Sequence, residues 1–151
     1  TTKKGRATFI KPDKFRWELD NEQWIFDGQK LVIYHPKKQE AIQYSSAGLK
    51  AKELRQVVDM VLNLQALFLR YDVEKTSQTD KSLILTLTPK KADEIASARL
   101  EIDLAQSFVK TIELALKGAN KTTFQFSDLK TIKKDEQLLS LTKNTKISEA
   151  L

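Results

Sequence analysis

An active site needs side chains that move protons, attack carbonyls or bind metals, and this chain offers few of them. Its 151 residues include one histidine, His35, and no cysteine. His35 stands directly before Pro36 at the end of an apolar run, the place of a surface turn. No Gly-x-Ser-x-Gly elbow exists to give it a nucleophile. Without cysteine there is no disulfide scaffold, thiolate zinc site, Cys nucleophile or lipid-modified cysteine within this chain. A single histidine makes neither a His-based metal site nor a catalytic dyad. Glu101 and Asp103 are spaced as a carboxylate pair, but they alternate with Leu100, Ile102 and Leu104, the pattern of a solvated strand face. Gly5, Gly28, Gly48 and Gly118 lie too far apart to cradle a phosphate. The expectation is a protein that is not an enzyme and takes no metal and no cofactor.

Charge points elsewhere. Lys and Arg number 26 against 20 Asp and Glu, a net charge of +6, but only Arg6, Arg16, Arg55, Arg70 and Arg99 are arginines. Arginine is the planar fork that reads phosphates and base edges, whereas lysine is a hydrated point charge. A lysine-rich surface argues for a solvated face over a nucleic-acid interface. Lys90-Lys91 and Lys133-Lys134 read the same way. The aromatic residues could stack bases only on an exposed face, yet they keep to the apolar positions of their strands. No nucleic acid is therefore expected as a partner. Cations do gather near the start, at Lys3, Lys4, Arg6, Lys11, Lys14 and Arg16, with Asp13 the lone acid. Such a patch suits anionic headgroups or an acidic protein surface.

The elements that would position these residues are mostly strands. Ala7 to Lys11 is stopped by Pro12, and Phe15-Arg16-Trp17-Glu18-Leu19 alternates apolar with polar. Trp24-Ile25-Phe26 runs into Asp27-Gly28, a hairpin signal in which both turn positions accept positive φ. Leu31-Val32-Ile33-Tyr34 returns, and Ala41-Ile42-Gln43-Tyr44 follows, giving an antiparallel meander. Ser45, Ser46 and Gly48 then break the pattern. Leu54, Val57, Val58, Val61 and Leu62 mark one face of a helix over about 49–64, with Lys50, Lys52, Glu53, Arg55 and Asp59 on its other faces. Gln65 to Arg70 fits helix and strand alike. After about residue 71 the two-residue period returns at Leu83/Leu85/Leu87, Leu100/Ile102/Leu104, Ile112/Leu114/Leu116 and Phe124/Phe126. Turns fall at Lys90–Ala96 and Gly118–Asn120, and Leu138 to Leu141 is a candidate last strand. Without repeat or linker, residues 1–151 read as one domain, and no apolar run is long enough to span a bilayer as a helix.

Eight or more antiparallel strands with one apolar face each form a sheet that curls as twist accumulates. One helix cannot cover all of its concave side. Two outcomes stay open: a leftover apolar hollow filled by other chain, a partner or a ligand, or a closed barrel or sandwich filled by its own side chains.

Certain runs are recognisable. Gly5-Arg6-Ala7-Thr8-Phe9-Ile10-Lys11-Pro12-Asp13-Lys14-Phe15-Arg16-Trp17 resembles the outer-membrane lipoprotein carrier family, LolA: a Gly, a short apolar strand, a basic residue before Pro, then Phe-x-Trp. Phe26 to Pro36 is similar to that family's Asp-Gly hairpin ending in Tyr-x-Pro. Leu85-Thr86-Leu87-Thr88-Pro89-Lys90 looks like its Leu-x-Pro-Lys strand end, and Gly118 to Phe126 like its last hairpin, with Leu139-Ser140-Leu141 in place of the final Phe-x-Phe strand. Residues 5–44 carry most of the likeness.

The resemblance implies a mainly β fold with helices (α+β), a strongly curved antiparallel sheet forming an incomplete barrel with a helical lid over an apolar cavity. It implies a monomeric periplasmic carrier that takes the acyl chains of lipoproteins, or another lipid, from an inner-membrane ABC transporter to an outer-membrane acceptor. Phe9, Phe15, Trp17, Trp24, Phe26, Leu31 and Ile33 become the candidate cavity wall, and Leu54, Val57, Val58, Val61 and Leu62 the lid. For each wall residue, core filling is an equal reading. In the run Leu31-Val32-Ile33-Tyr34 the inward pair is either Leu31/Ile33 or Val32/Tyr34. The family's lid-fastening Arg stands here as Lys11, which offers three donors without the planar fork. The family's N-terminal helix and first strand have no counterpart before Gly5, so the resemblance implies either a trimmed or disordered start or a cavity more open than usual. The segment 49–64 is unusually long and charged for the family's lid. A sensor or interaction module on the same fold is the alternative function.

Overall fold

The computed structural model describes residues 3–92, 94–118, 120–129 and 146–150. Among them the chain is mainly β with two α-helices, and its strands fall into two open sheets. It also divides into two compact units, one holding the residues up to Val58 with 146–150, the other running from Asp59 through 129.

The first unit contains the meander that the alternation predicts. Its strands are β1 (Gly5–Ile10), β2 (Lys14–Leu19), β3 (Gln23–Phe26), β4 (Leu31–His35) and β5 (Glu40–Tyr44), each antiparallel to the next. Gly5 faces Leu19 across the β1–β2 ladder, and a Cβ on it would run into the Glu18 carbonyl. The β1–β2 turn carries a cis Lys11–Pro12 bond. The β3–β4 hairpin turns at Asp27-Gly28, as the sequence predicts. Phe26 pairs with Leu31, so the loop holds four residues, and of the pair only Gly28 has positive φ, at 100°. Asp27 closes it through its carboxylate, whose Oδ1 accepts from the backbone N–H of Gln29 (2.9 Å) and Lys30 (2.8 Å). Gly28 also lies against the Asp13 side chain and leaves no room for a Cβ.

One strand of this sheet leaves no trace in the local pattern. The segment Lys146–Ala150 lies parallel to β5, so the order is β1-β2-β3-β4-β5-β11, with β11 this last strand. The candidate strand at Leu138 to Leu141 lies outside the described residues.

Helix α1 (Leu49–Leu62) starts in the first unit and ends in the second. Asn63 interrupts it, and α2 (Leu64–Arg70) follows, so the ambiguous 65–70 segment is helical. An ion pair joins Arg70 to Asp59 across that break. The second sheet runs β6 (Tyr71–Gln78), β7 (Ser82–Pro89), β8 (Ile95–Asp103), β9 (Phe108–Leu116), β10 (Lys121–Gln125), all antiparallel. Sequence alternation implies a single curling sheet; the strands instead divide where the helices intervene between β5 and β6. Leu85, Leu100, Ile112 and Phe124 stand side by side in one cross-strand row, next to Leu87, Ala98 and Leu114, and all are buried. Each such leucine or isoleucine withdrawn from water contributes about 1.5–3 kcal/mol before entropy is counted. After Tyr71, β6 is exposed along its length, a polar strand at the sheet edge that discourages pairing with other chains.

Candidate functional site

The site is built on one face of the first sheet. The register sets Phe9, Phe15, Phe26, Leu31 and Tyr44 side by side, and beside them Ala7, Trp17, Trp24, Ile33 and Ile42. Side chains two apart on a strand share a face. All seven wall candidates, Leu31 and Ile33 among them, therefore share one face of the sheet. Val32 and Tyr34 belong to the opposite face with Ile25, Ala41 and Arg16.

The rings form a continuous run. Phe9 and Phe15 have centroids 5.1 Å apart, Phe15 and Trp17 6.2 Å, and Trp17 and Trp24 5.8 Å, all tilted or edge-on as ring quadrupoles prefer. The seven are not equally covered. Phe26 and Leu31 have no exposed surface and Phe15 and Ile33 almost none, whereas Phe9, Trp17 and Trp24 are half-buried. The first four make a floor, and the other three form the accessible part of the face.

Leu54, Val57 and Val58 of the helical stripe are buried, while Val61 and Leu62 are half-buried. Ala51 and Met60 are as fully covered as the stripe. Met60 lies on the far side of the helix from Leu54, so α1 is enclosed over a wider arc than its apolar periodicity indicates. Lys11 is exposed, at the β1–β2 turn.

Cations collect where the face meets the start of α1. The Lys3 ammonium sits 2.7 Å from the Glu22 carboxylate and 5.6 Å from the centroid of the Trp24 ring. Lys50 places its ammonium 5.4 Å from the Trp24 ring and 5.0 Å from the Tyr44 ring, within cation–π reach of both. Tyr44 and Lys50 are the members of the site that the sequence pattern misses, since nothing in their spacing links them to Trp24. Trp24 Nε1 is shielded from solvent and lies near enough to Glu22 to favour its charged form, without reaching a hydrogen bond of full geometry among the described residues.

Partial burial pushes the Glu22 carboxyl upward. The Lys3 and Trp24 contacts, with the charges of Lys3 and His35, outweigh it and hold the group below its ordinary value of 4.5. A depressed carboxylate stabilises the fold above its unfolded pKa, and that stabilisation is lost as pH falls through the folded value. Acidification below about 4.5 is therefore expected to lower the thermal midpoint more steeply in the native chain than in Glu22→Gln, as scanning calorimetry at successive pH values would show.

The carboxylates of Glu101 and Asp103 make structural contacts. Glu101 pairs with Lys110 at 3.4 Å. Asp103 Oδ1 accepts from the N–H of Ala105 (2.9 Å) and Gln106 (3.1 Å) to close the β8–β9 turn. Of the cationic cluster near the start, Arg16 is engaged by Gln23 at 2.7 Å and Glu18 at 3.2 Å. An open surface depression lined by Asp80, Lys81, Asp103, Leu104 and Ala105 lies in the second unit and includes none of the aromatic-face residues. No helix among the described residues is long and apolar enough to cross a membrane.

Comparison with known proteins gives a family. The family model described as "Outer membrane lipoprotein carrier protein LolA" matches residues 1–142. No curated protein sequence matches the chain. Among solved structures, a chain in the complex of the CwlD amidase from Clostridioides difficile with the GerS lipoprotein is similar in fold. The TM-score is 0.52 and the identity 16%, over 87% of this chain and 71% of that one.

Proposed function

Since this chain belongs to the outer-membrane lipoprotein carrier (LolA) family, we propose that it is a periplasmic carrier that shelters acyl chains against the aromatic face of its first sheet. In this reading it receives a lipoprotein or other lipid from an inner-membrane ABC transporter and passes it to an outer-membrane acceptor. The observation that carries the reading is the shared orientation of Phe9, Phe15, Trp17, Trp24, Phe26, Leu31 and Ile33.

Physical chemistry sets what such a carrier must do. Burying an acyl chain is worth about 0.8 kcal/mol per CH₂, so a sixteen-carbon chain costs on the order of 12 kcal/mol to leave in water. Release must be into another apolar site or a bilayer. Non-directional contacts suit this task, because they hold the chain without a geometry that resists hand-over. Phe9, Trp17 and Trp24 meet cargo first. The enclosed Phe15, Phe26, Leu31 and Ile33 are reached once covering chain moves, and the stripe Leu54, Val57, Val58, Val61 and Leu62 on α1 is the lid assigned to that motion. Lys11, in place of the family's Arg, gives a looser latch than a bidentate guanidinium.

Both tryptophans of the chain lie on the proposed face, which makes the test direct. A fatty acyl chain carrying bromine quenches indole fluorescence only on contact. Saturable quenching of Trp17 and Trp24, together with lipid adducts in native mass spectrometry, is the expected result. Tryptophan emission that stays unchanged through the titration would sink the proposal. It would favour the alternative of a sensor or interaction module, a reading that draws support from the fold relative's origin in an amidase–lipoprotein complex.

A further inference from the structure

We infer that the cargo carries an anionic headgroup, and that Lys50 selects it at the Trp24 end of the aromatic face. The inference deepens the carrier reading and rests on it. Two lysines reach this end of the face, and their situations differ. Lys3 is neutralised at 2.7 Å by Glu22. Lys50 is exposed, lies over the rings of Trp24 and Tyr44, and meets no carboxylate among the described residues. Its ammonium reaches over the two rings while the residue as a whole stays exposed to water. The electrostatic cost of placing a lone ammonium beside apolar surface is offset in part by the two ring quadrupoles. An anion at the end of a bound acyl chain would complete the pairing that neither ring provides.

Geometry fixes the consequence for a ligand. A chain lying along Phe9, Phe15, Trp17 and Trp24 crosses three strands and four rings whose successive centroids are 5.1 to 6.2 Å apart. Whatever caps the chain at the Trp24 end meets Lys50. A phosphate or carboxylate there gains a charge-assisted contact. A zwitterionic phosphocholine gains less, because its quaternary ammonium cancels the charge of its phosphate and is itself repelled by Lys50, although the rings beneath would attract it. The match is one of sign and place, and does not require a closed polar pocket.

The test compares three brominated single-chain amphiphiles of equal chain length by tryptophan quenching, below micelle-forming concentrations. They are a lysophosphatidylglycerol, a lysophosphatidylcholine and a free fatty acid. The native chain is expected to bind at least one of the anions about tenfold more tightly than the choline lipid, with the preference shrinking as salt rises. Whichever anion binds tighter identifies phosphate or carboxylate as the source of the charge. Lys50→Glu should abolish the preference by weakening the anions while leaving the choline lipid within about twofold. Lys52→Glu, an equal charge change at an exposed position on the same helix, should retain it. Equal binding of all three by the native chain, or equal loss of preference in both variants, overturns the inference and leaves the carrier reading intact. Failure of every amphiphile to quench removes both. Circular dichroism and the thermal midpoint of each variant confirm that its fold is kept.

Discussion

Phe26→Ala is expected to lower the free energy of unfolding by about 3–5 kcal/mol, the usual range for emptying an enclosed phenylalanine site. Its ring has no exposed surface and stands between Phe15 on β2 and Leu31 on β4. Truncation would leave a cavity in the middle of the sheet's most tightly covered row. Phe9→Ala, on the same face at the edge strand β1, should cost only about 1–2 kcal/mol, because that ring is only half-buried. Their effects on cargo should run in the opposite order. Phe9→Ala, in a chain that still folds, is expected to weaken acyl-chain quenching several-fold, since its ring belongs to the accessible part of the face. Urea titration gives the stability difference from the midpoint and slope, and lipid titration gives the other. If Phe9→Ala bound brominated lipid as tightly as the native chain, the division into floor and contact surface would be wrong.

That division was only partly legible in the sequence. Alternation on β2 put Phe15 and Trp17 on one apolar side, whereas on β3 Trp24-Ile25-Phe26 is apolar throughout and offers no contrast to read. On β4 it failed, because Leu31, Val32, Ile33 and Tyr34 are apolar at every position and a two-residue period has nothing to contrast. The pairing of Phe26 with Leu31, through a loop of four residues held by the Asp27 carboxylate, puts Leu31 and Ile33 on the same face as Phe26 and Trp24. Burial also differs from what alternation implies. Ile25, Tyr34 and Ala41 are covered on the opposite face, so each side of the central strands carries core.

Elements without an apolar signature were harder to see. Strand β6 has polar residues at nearly every position after Tyr71, as suits a sheet edge, so no period marks it. Strand β11 joins β5 in parallel from far along the chain, and a parallel partner leaves no hairpin turn to announce it. The cationic site was hidden for a related reason. Lys50 reads as one of several solvated charges on α1, and only the fold brings it to Trp24 and Tyr44. Among the early cations, Lys3 and Arg16 already hold Glu22, Glu18 and Gln23, so the basic cluster near the start is less free than its composition suggests.

Leu100→Ala, at the centre of the second sheet, is expected to remove about 2–5 kcal/mol of stability, and its effect should be read by residues in the other unit. Leu100 has no exposed surface and lies between Leu85 and Ile112. Trp17 and Trp24 are the only tryptophans, and both lie in the first unit, so tryptophan emission follows that unit alone. We propose that the two units unfold as one domain. The physical reason is α1, which crosses the boundary at Val58 and Asp59 without a break and is buried on either side of it, at Leu54 and Val57 before and Met60 after. A helix propagates cooperatively, each residue fixed by a bond to the turn before it. Melting either end therefore withdraws support from the other. The tryptophan transition of Leu100→Ala should move to lower urea by the same amount as the far-ultraviolet dichroism transition, the two curves coinciding as a two-state change requires. A tryptophan midpoint that stays at the native value while the dichroism splits into two steps would mean that each sheet is stable by itself and that α1 transmits nothing between them.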